Sequence, residues 1–183
     1  TVAGLVPVRR LVASGQALDA VGAVESCRRG ERWEWDGVTF EWLHPGLRRF
    51  ERDNDNSCVL RVQAGHHTVL LTGDIERLAE AEIVEHGRLA HAEIVLVPHH
   101  GSRTSSTASF VTATRPRWAL VPSGHRNRWG FPKPDVVERW QSAGAEVLVG
   151  SATGAIEFEL HPQRPIAPPR LWRPSQRRLW RDP

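Results

Sequence analysis

Residues 68–102, TVLLTGDIERLAEAEIVEHGRLAHAEIVLVPHHGS, decide the fold class of this chain. The apolar run at 69–71 predicts a strand that is buried on both faces, and residues 75–86 repeat apolar side chains at helical spacing. A second short apolar run at 93–98 predicts another buried strand. A strand, a helix and a strand in succession are typical of an α/β protein.

The same kind of pattern continues on both sides of this stretch. Upstream we expect a helix at 17–29, a hairpin at 31–43 folded about Asp36-Gly37, a loop at 48–56 and a strand at 57–62. Downstream we expect helices at 106–114 and 134–143, and strands at 117–122, 146–149 and 155–160. Hairpins in the first half and alternating strands and helices in the second predict a mixed α/β sandwich.

Composition places the chain among globular proteins. It has 183 residues, of which 40% are hydrophobic and 25% charged, and this excludes a wholly disordered chain and suits one ordinary domain. No apolar window is long enough for a transmembrane helix, so we expect a soluble chain. The sequence contains no Met and begins Thr-Val-Ala-Gly, which suggests a piece of a longer protein. Cys27 and Cys58 lack the spacing of a metal or redox motif.

The positive charge is concentrated at the C-terminal end. The formal net charge is +3, but residues 161–183 contain six arginines and one acidic residue, so that residues 1–160 carry a net charge of −2. We therefore predict a domain at 1–160 followed by an Arg/Pro/Trp-rich tail at 161–183. Such a composition favours disorder, with phosphate and base contacts as the alternative.

Three polar clusters follow the ends of predicted strands, where active-site residues of α/β proteins gather. The first is Thr72-Gly73-Asp74. The Asp74 carboxylate could bridge two divalent cations. It could equally cap the helix that follows.

The second cluster is Pro98-His99-His100-Gly101-Ser102. Neighbouring histidines after a strand are candidates for ligating zinc or manganese, and the alternative is a structural or solvated pair. The pair His66-His67 illustrates that alternative, because it lies in a predicted hairpin turn and is expected to face solvent.

The third cluster is the loop at 123–134. It combines Arg126, Arg128 and Lys133 with Trp129 and Phe131, which suits a phosphodiester backbone and an exposed base. The alternative is a rigid, proline-bounded connection to the next helix.

Taken in order, these motifs resemble the metallo-β-lactamase-fold domain at the C-terminus of ComEC-type DNA internalization competence proteins. The resemblance covers roughly residues 33–160. The segments that carry it are NDNSCVL at 54–60, LLTGDIE at 70–76, VPHHGS at 97–102, RPR at 115–117, GHRNRWG at 124–130, GA at 144–145 and TGAI at 153–156.

The resemblance implies a four-layer αββα sandwich with a metal site, manganese or zinc, that hydrolyses phosphodiesters. Asp74 would be the metal-bridging carboxylate, and His99 and His100 would be metal ligands or transition-state stabilisers. Ser102 or Arg126 would hold the phosphate. The candidate DNA-binding residues are Arg126, Asn127, Arg128 and Lys133. No small-molecule organic cofactor is expected.

The resemblance also implies a parent protein. In such proteins a membrane channel passes one strand of DNA, and this domain is the proposed nuclease for the other strand. The domain would then lie on the periplasmic or extracytoplasmic side of the inner membrane, and its partners would be single- or double-stranded DNA and the channel.

The chain departs from that family at two places. The family's first metal motif, His-x-His-x-Asp-His, is absent and the expected fold is therefore incomplete at its N-terminal side, so we expect the chain to be catalytically incomplete. Phe131 and Lys133 stand where many relatives have histidines. Two alternative functions remain open, a metal-free DNA-binding module and a general hydrolase of the same fold.

Overall fold

A computed structural model describes residues 11–14, 24–87, 89 and 91–175. Two short parallel strands, β1 (Leu11–Ala13) and β2 (Val24–Ser26), precede one large sheet. That sheet contains β3 (Arg32–Trp35), β4 (Val38–His44), β5 (Val59–Ala64), β6 (His67–Leu71), β7 (Ile94–Leu96), β8 (Trp118–Val121) and β9 (Glu146–Val149). The helices are α1 (Arg77–Glu85), α2 (Ala108–Thr114), α3 (Pro134–Ser142), α4 (Gly150–Thr153) and α5 (Trp172–Ser175). A pair of antiparallel strands, β10 (Ile156–Glu157) and β11 (Arg170–Leu171), lies near the C-terminal end.

The seven strands lie side by side in chain order. Strands β3 to β6 are antiparallel neighbours, whereas β6 to β9 run parallel. The β3–β4 hairpin turns at Asp36 and Gly37, both at positive φ, as the sequence predicts for a two-residue turn. Because β6, β7 and β8 are parallel, their carboxyl ends meet at one edge of the sheet.

The two faces of the sheet are covered differently. One face packs against α1, α2 and α3 in a core that includes Val95, Ala119 and Trp140. The side chains that alternate with these point to the other face, where Trp118 and Leu148 pack against Ile166 from the C-terminal segment.

A row of aromatic side chains lies on this second face at the β3–β4 end. Trp33 stacks on Phe40 with ring centroids 5.2 Å apart and lies 5.7 Å from the ring of Trp42. All three side chains are only partly buried. The row is therefore an apolar part of the sheet surface that the described residues do not fully cover.

The predicted mixed α/β class is confirmed, with a large mixed sheet. The described residues contain one large sheet with helices on one face, and the second large sheet of a four-layer sandwich is not among them. Within the same residues, no helix combines the length and apolarity that a membrane span requires.

Two predicted elements need correction. The prediction of a helix at 17–29 is wrong for residues 24–26, because they form a strand that pairs with β1. The part of the prediction at 17–23 lies outside the described residues. The loop expected at 48–56 contains a 3-10 turn, Asp53–Asn56, with Asp55 and Asn56 buried. Side-chain hydrogen bonds to distant segments, which local spacing does not reveal, hold that turn.

The prediction of a disordered tail is also corrected for the part that the structure describes. Ile166 is buried against Trp118, and β11 pairs with β10. Apolar side chains spaced among the prolines explain this packing, because they cover the sheet face that the helices leave open. Residues 176–183 lie outside the described residues.

His67 does not face solvent, contrary to the prediction for the 66–67 turn. It is buried, with Nδ1 2.9 Å from Glu93 Oε1 and Nε2 2.6 Å from the Arg164 carbonyl. The hydrogen bond with Glu93 is the main cause that raises the pKa of His67. The imidazole thereby joins β6 to the C-terminal segment that covers the sheet.

Cys27 and Cys58 form a disulfide that cysteine spacing does not predict. Replacing both by serine is expected to lower the free energy of unfolding by about 3.5 kcal/mol, because the bond joins residues 31 positions apart and restricts the unfolded chain. Urea unfolding measures this loss. Reductant should lower the stability of the wild type by the same amount and should leave the stability of the double variant unchanged. If reductant does not change the urea concentration at which the wild type unfolds, the prediction is contradicted.

Candidate functional site

The three polar clusters meet at the sheet edge where β6, β7 and β8 end. The backbone N–H of His99 donates to the Gly73 carbonyl at 3.2 Å, which joins the first cluster to the second. The N–H of Lys133 donates to the Gly101 carbonyl at 2.9 Å and joins the third. The sequence placed each cluster at a strand end, and the parallel strand order brings them together.

The histidine pair occupies a strained turn. His99 and His100 have φ values of 47° and 55°, in the left-handed region, which costs a residue with a side chain about 1–2 kcal/mol. Surrounding contacts hold the turn in place, among them a hydrogen bond from Ser105 Oγ to the Pro98 carbonyl at 2.8 Å. Gly101 is required here, because a Cβ would lie 2.6 Å from Pro132. Strain maintained in this way is characteristic of functional sites.

The imidazole of His100 is oriented by the backbone. Its Nδ1 lies 2.7 Å from the Pro122 carbonyl, which can only accept, so Nδ1 carries the hydrogen. The lone pair of the neutral ring is then on Nε2, and this atom lies 3.5 Å from Asp74 Oδ1. A histidine with one nitrogen donating and the other free is arranged as metal-binding histidines are.

The imidazole of His99 is oriented by Thr104 and lies beside the carboxylate of Glu76. Its Nδ1 lies 3.2 Å from Glu76 Oε1 and 3.2 Å from Thr104 Oγ1. Nδ1 donates to the Thr104 hydroxyl, which itself donates to Glu76 at 3.0 Å, so that the lone pair of a neutral ring is on Nε2, as in His100. The two neighbouring histidines are thus supported by different partners and present the same nitrogen.

Glu76 is the centre of this supporting network. The residue is only 5% exposed. Its carboxylate accepts from Arg52 at 2.9 Å and from the Thr104 hydroxyl at 3.0 Å. Burial alone would raise the pKa of Glu76, but these hydrogen bonds outweigh burial and lower the pKa. Glu76 therefore remains an ionised carboxylate beside His99.

Asp74 is not the cap of α1, so that alternative is wrong. The cap is Asp55, whose Oδ1 accepts from the backbone N–H groups of Glu76 at 3.0 Å and Ala79 at 3.1 Å. The Asp74 side chain is 46% exposed and lies beside His100, whose side chain is 44% exposed. Its carboxylate is thereby accessible to a ligand.

Ser102 lies beneath the histidine turn. The residue is buried, and its hydroxyl lies 3.0 Å from Thr104 Oγ1. This places Ser102 next to the network that orients His99. A direct role for its hydroxyl in holding phosphate stays a prediction.

The loop at 123–134, called the basic loop below, has side chains that bond to its own backbone and others that are exposed to solvent. Asn127 organises the loop: its Nδ2 donates to the Phe131 carbonyl at 2.7 Å and its Oδ1 accepts from the Phe131 N–H at 2.9 Å. Lys133 Nζ donates to the Trp129 carbonyl at 2.6 Å. Arg126 and Arg128 are exposed, so they are the loop side chains best placed to meet a phosphate.

Sequence reasoning missed the residues that support the site. Glu76 and Thr104 lie 28 positions apart and meet only in the folded chain. The available signal for Glu76 was its position two residues after Asp74, at the beginning of a helix. Asp55 lay in a predicted loop and in the 54–60 segment that carries the resemblance, but neither observation indicated that it caps α1.

Comparisons with known proteins show which family the chain belongs to. No protein-family model matches the chain. The chain is 39% identical to competence protein ComA of Neisseria gonorrhoeae over 131 residues, which is 71% of this chain and 19% of ComA. It is 34% identical to recombination protein 2 of Haemophilus influenzae over 138 residues, 75% of this chain and 17% of that protein. The chain belongs to the ComEC-type competence protein family.

A third member of the ComEC-type family, ComE operon protein 3 of Bacillus subtilis, is 29% identical over 136 residues, 74% of this chain and 18% of that protein. The chain spans less than a fifth of the length of these three relatives. The comparisons therefore concern one segment of much longer proteins of the ComEC-type family.

The donor atoms suit a divalent metal only in part. Asp74 Oδ1 and His100 Nε2 converge, and His99 adds a second oriented imidazole. Within the described ranges, however, no group of three or more His, Cys, Asp or Glu side chains is arranged to hold a metal ion. Metal ligation by Asp74, His99 and His100 of the ComEC-type chain stays a prediction.

Proposed function

We propose that this chain is the phosphodiester-hydrolysing segment of a DNA-uptake protein and that it works with manganese or zinc. The observation that carries the proposal is the pair of histidines whose Nδ1 atoms are both hydrogen-bonded, with His100 Nε2 beside the accessible carboxylate of Asp74. A basic loop adjoins these donors. This combination suits a reaction at a phosphate group.

The residues divide into three roles. Asp74, His99 and His100 would hold the metal, and donors outside the described residues would complete the ligand set. A bound divalent cation supplies positive charge that polarises a phosphoryl oxygen. Arg126 and Arg128 bind the phosphates on either side of the reacting group, while Asn127 and Lys133 hold the loop in shape.

The four-layer arrangement of the fold is part of the same proposal. A four-layer αββα sandwich needs a second sheet against the face that the helices do not cover. The half-buried row of Trp33, Phe40 and Trp42 on that face supports this. Burial of these aromatic side chains by a second sheet would be favourable.

The proposal extends to the whole protein. One of its relatives is a competence protein by name, so we propose that the parent takes up DNA through a membrane channel and that this segment degrades the strand that is not transported. An extracytoplasmic position would suit the Cys27–Cys58 disulfide, because such bonds persist in oxidising compartments.

A metal-free DNA-binding module is the second candidate. Arg126 and Arg128 favour it, because both are exposed and neither forms an ion pair with any residue that the structure describes. This module would bind single-stranded DNA with strong salt dependence and without metal. A general hydrolase of the same fold would instead cleave small phosphoesters and show no preference for DNA.

The test measures metal binding and manganese- or zinc-dependent cleavage of labelled oligonucleotides. The chain is compared with a longer version that includes whatever its gene encodes upstream of Thr1, and Asp74→Asn is made in both. Metal binding that depends on Asp74, with cleavage in at least one version, supports the proposal. DNA binding without metal binding or cleavage in either version would replace it with the DNA-binding module.

Glu76→Gln is expected to weaken metal affinity by about 10- to 100-fold, because groups that orient metal-binding histidines typically have effects of that size. Glutamine keeps the size of the side chain but removes the negative charge that lies 3.2 Å from His99 Nδ1. Calorimetric titration with Zn²⁺ measures the effect. Glu85→Gln, at the exposed end of the same helix, should leave the affinity unchanged; equal affinities of both variants and the wild type refute the role of Glu76.

A further inference from the structure

Trp129 is a large aromatic side chain that the fold leaves exposed. It is 57% exposed at the tip of the basic loop. Its ring is nearly parallel to that of Phe131, at 10°, with centroids 6.4 Å apart. Arg128 lies over the indole, with its guanidinium carbon 4.4 Å from the ring centroid. Packing within the described residues does not account for so much exposed apolar surface.

The loop holds this aromatic pair in a fixed place. Asn127 makes two hydrogen bonds with the backbone of Phe131, and the Gly130 N–H donates to the Asn127 carbonyl at 3.1 Å. Lys133 Nζ closes the loop on the Trp129 carbonyl. A platform held in this way loses little conformational entropy when a ligand binds.

The aromatic pair is directly connected to the candidate metal site. The Phe131 ring lies 5.8 Å from the ring of His99. The loop is also joined to the histidine turn by the hydrogen bond from Lys133 to Gly101. Trp129, Phe131 and His99 therefore form a continuous row that runs from exposed surface to the histidines.

We propose that Trp129, supported by Phe131, is a stacking platform for an unpaired nucleobase next to the candidate metal site, and that it selects single-stranded nucleic acid as the substrate. This inference rests on the proposed function, because it names the substrate of the same site. A base in a duplex has both faces covered by its neighbours, whereas an unpaired base offers a face to an aromatic ring.

Arg128 fits this role. A base that stacks on the indole of Trp129 would displace the guanidinium of Arg128, which is exposed and is not part of the packed core. The displaced guanidinium stays within the loop, next to the sugar-phosphate backbone of the same nucleotide. Aromatic and basic side chains together are the usual composition of surfaces that bind single strands.

The test is fluorescence anisotropy of labelled oligonucleotides in the presence of a chelator, so that no cleavage takes place. The probes are a 12-nucleotide thymidine strand, an abasic strand of the same length and a 12-base-pair duplex. Trp129→Ala should weaken binding of the thymidine strand by roughly 5- to 100-fold. It should leave binding of the abasic strand unchanged, because that strand keeps the phosphates and lacks the bases.

Two variants serve as controls. Trp129→Phe should retain most of the affinity, since it keeps an aromatic face. Trp35→Ala removes a tryptophan that is 69% exposed on the edge strand β3 and should have no effect. Thermal unfolding followed by circular dichroism verifies that each variant is folded.

Three results would overturn the inference: equal weakening for the thymidine and abasic strands, no weakening for either, or duplex binding that depends on Trp129 to the same degree. The outcome is separable from that of the proposed function. Base-dependent binding without cleavage in any version keeps the platform and removes the hydrolytic role. Metal-dependent cleavage without a base-dependent effect of Trp129→Ala keeps the hydrolytic role and removes the stacking platform.

Discussion

Asp74→Asn is expected to reduce metal affinity and metal-dependent cleavage by at least about 100-fold, because even groups that only support metal ligands have effects of 10- to 100-fold. The substitution removes a negative charge and keeps the shape of the side chain. Asp74 is accessible, and its Oδ1 lies 3.5 Å from His100 Nε2. The fold should therefore be retained, and the loss should be confined to the site.

Asp135→Asn is the matched control. The Asp135 side chain is 44% exposed, close to the value for Asp74, and forms a surface ion pair with Arg103 at 2.9 Å. Surface pairs of this kind contribute little to stability. Calorimetric titration with Mn²⁺ and Zn²⁺ compares both variants with the wild type. If Asp74→Asn binds these metals as the wild type does, Asp74 is not a ligand.

Asp55→Ala is expected to lower the free energy of unfolding by about 3 kcal/mol, because two buried N–H groups at the start of α1 lose a charged acceptor. Asp55 is buried and joins the 3-10 turn at Asp53–Asn56 to this helix. Loss of this link also loosens Glu76, whose N–H is one of the two donors. Urea unfolding followed by tryptophan fluorescence measures the change.

Asp53→Ala is the control for Asp55, because Asp53 lies in the same turn and is exposed. We expect it to change stability by less than about 0.5 kcal/mol. Asp55→Asn keeps one oxygen acceptor and should recover part of the stability. If the two alanine variants unfold at the same urea concentration, the hydrogen bonds of Asp55 to the start of α1 do not stabilise the fold.

Local patterns predicted the parts of this molecule whose causes are local. The hairpin about Asp36-Gly37 follows from turn chemistry. The strand and helix bounds from residue 59 to residue 149 differ from the predicted bounds by a few residues, because each of these elements has a periodic apolar pattern. The positions of Asp74 and the histidines at strand ends follow from the same patterns.

The remaining features depend on partners far apart in the chain. His67 is buried because Glu93 and the Arg164 carbonyl accept its hydrogen bonds, and residue 164 lies 97 positions away. Val24–Ser26 is a strand because Leu11–Ala13 pairs with it. Glu76 lies beside His99 because Arg52 and Thr104 hold its carboxylate there. Spacing along the chain contains none of this information.

The order of the seven strands has a consequence for biosynthesis. Each strand from β4 to β9 pairs with the strand made just before it, so the sheet can be extended one strand at a time as the chain leaves the ribosome. The Pro122 carbonyl and Lys133, which hold the histidine turn, come after β8. Most of the sheet can therefore form while the histidines are still without their final support. A nascent chain is expected to acquire its stable core first and the geometry of the histidine turn late in synthesis.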